Sequence, residues 1–301
     1  MSAAVPTFRQ ILSETTLIIN AHSRHFLALT ILFILPVSFS AVIFSSLLHP
    51  TSIHSHYQKS LYFFFSASDN TPQTLLPIIY ILFVYSFPIC STASITYSTF
   101  HGFYGKPVEF IDSMKSILSS FFPLLATLVV MQIIMGLIMF AFMGLMLLVH
   151  HSVNSLFFVL LIAILLAGVL IYLQSEWYLS NVVVVVESRW GFSPLKRSSY
   201  LVKGLKRVVF SMLIFFGFFV VLLSMLCSSL VANGGGIEGW LSWEVVLLTI
   251  VYTGCLTIVS LYSIAGNTVL FIHCKAMHGE FDGEYVSLPC EDEKVPYVNV
   301  V

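Results

Sequence analysis

Charged residues are scarce in this sequence. Only 9% of its 301 residues are Asp, Glu, Lys or Arg, and the mean hydropathy is +0.95. A soluble domain carries about 25% charged residues. The shortage excludes an ordinary soluble fold and predicts a polytopic membrane protein, because hydrocarbon-facing helices carry few charges. The net charge of −1 gives no reason to expect a nucleic-acid partner.

Recognisable catalytic motifs are also missing. The chain has no GxxxxGK[ST] phosphate loop, no HExxH zinc motif and no GxSxG nucleophile motif. The sequence places no nucleophile beside a base at a usable spacing. We therefore expect a protein without enzymatic activity and without a cofactor.

Cysteine is present as an odd number of residues with no paired spacing. The five are Cys90, Cys227, Cys255, Cys274 and Cys290. This pattern argues against a disulfide scaffold and against a zinc site. Cys274, at the end of the last apolar run, is a candidate for reversible palmitoylation, with an unmodified thiol as the alternative.

Six apolar runs are what the sequence has in abundance. They are Phe26–Leu48, Leu75–Phe100, Phe121–Val149, Ser155–Val186, Val208–Ala232 and Glu244–Ile272. A helix needs about 20 apolar residues to cross the hydrocarbon. The runs predict an all-α polytopic membrane helix bundle with six transmembrane helices at 26–272.

Basic residues are distributed unevenly among the loops. Glu187–Arg207 holds six of the 13 Lys and Arg residues. With the N-terminus inside, the cytoplasmic segments hold 12 of them and the far side holds one. Translocated loops avoid Lys and Arg, so both termini are predicted to be cytoplasmic. The plasma membrane and the endoplasmic reticulum are not distinguished.

Three cytoplasmic segments begin at a proline and carry apolar residues at helical spacing. They are Pro6–His22, Pro107–Ser120 and Pro194–Lys206. Proline suits a first helical turn, so we expect interfacial amphipathic helices with their apolar faces toward the acyl chains. The chain then divides into a cytoplasmic N-terminal segment at 1–25, the membrane domain at 26–272 and an acidic, mobile tail at 273–301. Each helix with its following span pair makes one of three repeated units, or the helices are unrelated loop helices.

The stretch from Trp177 to Gly204 carries a motif, W…VVVVVE…G…LKRS..L.KG. It resembles the membrane domain of bacterial glycerophosphodiester phosphodiesterases and related inner-membrane proteins. It is most similar to a plant family of uncharacterised six-span membrane proteins. Those proteins often end the last span as Cys274, Lys275, His278 and Gly279 do here. The resemblance implies a membrane module and no enzyme, since the phosphodiesterase activity of those proteins belongs to a separate soluble domain.

Glu176 is the most prominent ionisable residue in a predicted span. If the fourth span ends near Glu187, Glu176 lies within the membrane, where ionisable residues are costly and often functional. Gln132 and Asn267 would then be its polar partners. If the span ends near Trp177, Glu176 is solvated or structurally paired. Five histidines on the far side are read as solvated loop residues, with a metal site as the alternative. They are His49, His54, His56, His150 and His151.

The basic loop supplies the candidate anionic-lipid contacts. They are Lys196, Arg197, Lys203, Lys206 and Arg207. Each such residue near an anionic surface contributes about 1 kcal/mol. The favoured function is a non-enzymatic membrane module that scaffolds or organises membrane components, with lipids and other membrane proteins as partners. The alternative is a transporter or lipid-handling pore with its polar site around Glu176.

Overall fold

The computed structural model describes residues 6–48, 71–106, 108–153, 156–233 and 243–280. Within those ranges the chain is helical and has no strand, as predicted. Six helical segments are long and apolar enough to cross a membrane: Ser23–Ala41, Ile78–Phe103, Phe110–Leu148, Phe157–Glu187, Lys206–Ser229 and Val246–Met277. They overlap the six apolar runs in order, which confirms the prediction of a membrane helix bundle.

Ten α-helices make up this bundle in the described part of the chain. They are α1 Phe8–Ala21, α2 Ser23–Leu29, α3 Leu35–Leu48, α4 Thr71–Phe103, α5 Phe110–Val153, α6 Leu156–Glu176, α7 Ser180–Glu187, α8 Ser193–Val202, α9 Lys206–Asn233 and α10 Trp243–Met277. A π-helical turn, Thr30–Ile34, joins α2 to α3 inside the first span.

The last helix, α10, is central to the packing. It contacts α1, α3, α4 and α9. Its residues Ala265, Val269, Leu270 and Phe271 are fully buried in the main core. That core also takes side chains from α1, α2, α7, α8 and α9, so it lies at the end of the bundle where the short helices pack.

The third and fourth spans pack less closely than the others. In the most apolar 18-residue stretch of these two spans, 11% and 6% of the stretch is buried in the protein. The corresponding share is 22–28% in the other four spans. Phe140 and Ile164, for example, are exposed. Exposed apolar side chains on membrane-spanning helices contact lipid, so this hairpin presents most of its circumference to the hydrocarbon.

The helix α1 forms as a separate element, as predicted for the first amphipathic segment. The hydroxyl of Thr7 accepts a hydrogen bond from the Gln10 backbone N–H at 3.3 Å and caps its first turn. Its apolar residues Ile11 and Ile18 are buried against the protein core, and α1 contacts α10. The expectation that this face contacts acyl chains is therefore corrected: it packs on protein.

The second amphipathic segment differs from its prediction. Pro107 lies outside the described residues, and the helix that begins at Phe110 continues without interruption to Val153. The segment at 110–120 is thus the first three turns of the third span. No helix-ending residue separates it from the span, and even Pro123 lies inside the continuous helix.

The third amphipathic segment is shorter than predicted. Helix α8 ends at Val202, and Lys203–Leu205 form a turn before α9 begins at Lys206. Gly204 has a φ of 102°, a conformation that a side chain would strain, and it ends the helix there. Leu195 and Leu201 are buried in the protein, so this helix also packs on protein.

Two glycines end long helices with the same hydrogen-bond pattern. Gly105 follows α4 and Gly279 follows α10, both with a φ near 70°. After α10 the Gly279 N–H bonds the Ala276 carbonyl at 3.0 Å, and the Glu280 N–H bonds the Lys275 carbonyl at 3.2 Å. This is the Schellman arrangement, which reverses the chain direction and fixes where Glu280 lies. The segment 273–280 is therefore ordered, and the rest of the predicted mobile tail lies outside the described residues. The loop histidines His49, His54 and His56 also lie outside them.

Candidate functional site

Within the fourth span, helix α6 ends in a turn that is held by Ser198. Its hydroxyl donates to the Glu176 carbonyl at 2.8 Å and accepts from the Leu179 N–H at 3.1 Å. The orphan backbone groups between α6 and α7 are thus satisfied by a side chain of α8. This hydroxyl is fully buried, and it explains physically why serine occupies that position of the LKRS motif.

The Glu176 carboxylate lies at this turn and is buried. It accepts a hydrogen bond from the Ser199 hydroxyl at 2.5 Å and forms an ion pair with the Lys206 ammonium group. The ammonium group also lies 5.4 Å from the centre of the Tyr172 ring. Glu176 is therefore structurally paired, and this pair joins the end of α6 to the first residue of α9.

The two amides proposed as partners of Glu176 lie elsewhere. Gln132 is exposed on α5, and Asn267 is half-buried on α10. The Asn267 Oδ1 atom is buried without a hydrogen-bond partner in the described residues. Glu176 therefore contacts Lys206 and Ser199, and it contacts neither of the two amides.

Arg197 is the second charged centre of the loop. Its guanidinium donates to both Glu187 oxygens at 3.2 Å and to Glu280 Oε1 at 3.0 Å, and it forms a further ion pair with Glu280. The planar fork of arginine suits two carboxylates at once. The Glu280 carboxylate, followed by Glu187, raises the pKa of Arg197, while Arg197 lowers the pKa of Glu280. We call the set Glu176, Glu187, Arg197, Ser198, Ser199, Lys206 and Glu280 the ion-pair joint.

The backbone between α7 and α8 is shaped by two residues with positive φ. Ser188 has a φ of 52° and Gly191 a φ of 73°. The Gly191 N–H donates to the Thr127 hydroxyl at 3.1 Å, which ties this loop to the third span. The conspicuous glycines of the motif, Gly191 and Gly204, thus occupy positions that favour glycine.

The comparison with known families covers almost the whole chain. Residues 5–285 match the family described as Domain of unknown function (DUF8558). The chain belongs to this family. No curated protein matches the chain, and no solved structure matches it. The match includes the ion-pair joint and all six spans, so the joint is part of the family domain.

The candidate lipid contacts divide into two groups in this DUF8558 domain. Arg197 and Lys206 are engaged in the ion-pair joint. Lys196, Lys203 and Arg207 are exposed and form no ion pair with any residue that the structure describes. Three of the five predicted residues are thus available to anionic head groups.

Cys274 is not placed as an acylation site requires. Its side chain is fully buried in the main core, on the last turn of α10. An acyl transferase must reach the sulfur atom, and this thiol is covered by neighbouring apolar side chains. Burial of the thiol does not favour palmitoylation, which stays a prediction.

One histidine and two serines meet at the same end of the bundle. His25 Nε2 lies 2.9 Å from the Ser98 hydroxyl and 3.3 Å from the Ser113 hydroxyl. Ser98 also bonds the Ser94 carbonyl at 2.7 Å and Ser113 bonds the Glu109 carbonyl at 3.1 Å, and the two hydroxyls lie 2.9 Å apart. Both serines are fully buried, and the contact joins α2 to α4 and α5.

Sequence reasoning missed Glu187, Ser198, Ser199 and Glu280 as site residues. Glu280 lies in the segment that the sequence predicts to be a mobile acidic tail. A glycine directly after an apolar helix is the signal that could have found it, because such a glycine commonly ends a helix and orders the next residue. The pairing of Glu176 with Lys206 could not be predicted from the distance between the two residues along the chain.

Proposed function

We propose that this protein is a non-enzymatic membrane module that organises membrane components by holding anionic lipids at its cytoplasmic face. The observation that carries the proposal is the division of charge in the basic loop. Carboxylates of the protein satisfy Arg197 and Lys206, whereas Lys196, Lys203 and Arg207 remain exposed. The three exposed cations lie within 12 residues of chain, where the fourth span ends and the fifth begins. Lipid head groups lie at this level of the membrane.

The absence of enzymatic activity is part of the proposal. His25 lies 2.9 Å from the Ser98 hydroxyl, which also bonds the Ser94 backbone carbonyl. Ser98 is also fully buried, so no substrate reaches it without a rearrangement of α4. These contacts support a structural role for the pair.

The resemblance to the membrane domain of bacterial phosphodiesterases and to plant six-span proteins belongs to this proposal as well. The motif residues that carry it have structural roles here: Glu187 pairs with Arg197, Ser198 holds the α6–α7 turn, and Gly204 ends α8. A motif of structural residues supports a shared membrane module. The alternative of a pore around Glu176 has less support, since Glu176 is neutralised by Lys206.

Lipid retention by purified protein tests the proposal. Wild type and the variant Lys196→Gln/Lys203→Gln/Arg207→Gln are reconstituted in phosphatidylcholine vesicles with phosphatidylserine, and bound lipid is measured by native mass spectrometry. At about 1 kcal/mol per cation, the variant should lose most of its bound phosphatidylserine.

The matched control removes three exposed cations elsewhere on the predicted cytoplasmic side, Arg9→Gln/Arg24→Gln/Lys106→Gln. It changes the net charge equally and should retain more phosphatidylserine than the loop variant. Equal loss in both variants, or no loss in either, refutes a specific role for the basic loop.

A further inference from the structure

A cavity of about 300 Å³ lies between the first, second, fifth and sixth spans. It is bounded by Phe33 and Ser38 on the first span and by Pro88 on the second. Phe33–Ser38 lie roughly ten to fifteen residues from the start of the first span, or about 15–22 Å along a helix. The cavity is therefore close to the middle of the hydrocarbon.

Two prolines lie in the helices that bound this cavity. Pro36 lies two residues after the π-helical turn Thr30–Ile34, in which the Leu35 N–H bonds the Thr30 carbonyl. Proline has no N–H, and its ring displaces the carbonyl four residues earlier, which the wider turn accommodates. Pro88 lies within α4 and borders the cavity directly. The π-helical turn of the first span is a local departure from α-helix, and such turns are frequent at functional sites.

The surface of the cavity is mainly apolar and carries no charge. None of the residues that line it is Asp, Glu, Lys, Arg or His. Five hydroxyl groups are present, those of Ser38, Ser91, Thr92, Ser260 and Ser263. An ion or a charged solute would find no counter-charge here, and at this depth its burial would be costly.

The five hydroxyls offer both donors and acceptors. Ser38 donates to the Ile34 carbonyl at 3.1 Å and Ser91 to the Pro88 carbonyl at 2.9 Å, so each retains only acceptor capacity. Thr92, Ser260 and Ser263 form no hydrogen bond with any described residue, unlike Thr253 and Thr268 of α10, which bond carbonyls of their own helix.

We propose that this cavity binds the hydroxyl end of a neutral, largely hydrocarbon lipid. A hydroxyl group both donates and accepts, so it matches acceptor-only serines on one side and free donors on the other. A carboxylate lacks the donor and adds a charge, and a pure hydrocarbon leaves the free hydroxyls unsatisfied. The inference does not depend on the cations of the basic loop, which lie at the membrane surface.

Photolabelling of the full-length protein tests this site. The protein is reconstituted in vesicles of phosphatidylcholine alone and exposed to a long-chain alcohol that carries a diazirine near the hydroxyl and a terminal alkyne. The matched probe is the carboxylic acid of equal chain length. We expect the alcohol to label peptides of α4 and α10 that line the cavity, at least tenfold more than the acid does.

Two kinds of variant locate the bound alcohol. Ser260→Phe fills the cavity and should abolish labelling, whereas Ile258→Phe adds the same side chain to the exposed face of α10 and should not. The milder variant Ser260→Ala/Ser263→Ala keeps the space and should weaken binding about tenfold through two lost hydrogen bonds. Equal labelling by alcohol and acid overturns the proposal, as does labelling unchanged in the alanine variant.

Discussion

Arg197 binds Glu280, which lies 83 residues later in the chain, through charged hydrogen bonds. The same guanidinium holds Glu187, so one side chain connects the end of α7, the helix α8 and the residue just beyond α10. The ion-pair joint therefore links the middle of the sequence to the end of its last span.

The two carboxylates around Arg197 should differ in their effect on stability. Glu187 is mostly buried, at 12% side-chain exposure, whereas Glu280 is 35% exposed. We expect Glu187→Gln to lower the free energy of unfolding by about 2 kcal/mol, and Glu280→Gln by about 1 kcal/mol or less because solvent screens it. Thermal unfolding in detergent micelles measures both. Arg189→Gln is the control, since Arg189 pairs with Glu187 while half exposed; a larger loss there than in Glu187→Gln contradicts this order.

Acidification should remove the contribution of Glu280. Its pKa is lowered from the usual 4.5 by the hydrogen bond from Arg197. The stabilisation is therefore fully present above pH 4.5 and is lost as the pH falls through the lowered pKa of the folded state. Melting temperatures of wild type and Glu280→Gln should differ at pH 7 and converge below that pKa. A difference that stays constant down to pH 3 contradicts the assignment.

Two lysines of the same loop should respond differently to neutralisation. Lys206→Met leaves the buried Glu176 carboxylate without its cation and should cost about 1–2 kcal/mol. Lys203→Met removes an exposed lysine that has no described ion-pair partner and should be nearly neutral. The double variant Lys206→Met/Glu176→Gln should recover part of the loss. Unfolding in detergent checks all three, and an equal effect of the two single variants would argue against the Glu176 pair.

Orientation follows from the loop charges and awaits measurement. Both termini and the loop Glu187–Arg207 should face the cytoplasm, because 12 of the 13 Lys and Arg residues then lie on that side. Protease added to sealed microsomes reaches only the cytoplasmic face, so it should digest a tag at either terminus. Protection of one tag alone would mean an odd number of spans.

The spans could be predicted from sequence, but the partners of the amphipathic faces could not. An apolar stripe such as Ile11 and Ile18 fits lipid and protein equally well, because both surfaces are apolar. Here α1 packs on α10, a contact between residues far apart in sequence. Its polar face is also engaged, since Glu14 bonds His273 at 2.7 Å.

Helix ends and ion pairs also depended on information that the sequence holds only weakly. The charges in 107–120 predict an interfacial segment but do not end a helix, so α5 runs on into the span. The partner of Glu176 is decided by the turn at Gly204, which returns Lys206 to the end of α6. That turn depends on backbone geometry, which residue spacing along the chain does not report.

The central position of α10 has a consequence for biosynthesis. The ribosome makes this helix after the other five spans, so the first, second and fifth spans enter the bilayer before the helix on which they pack exists. More than 200 residues are translated between helix α1 and its packing partner α10. Translation proceeds at roughly 5–20 residues per second. A nascent chain truncated before Trp243 should therefore be inserted but unassembled, and open to membrane quality control.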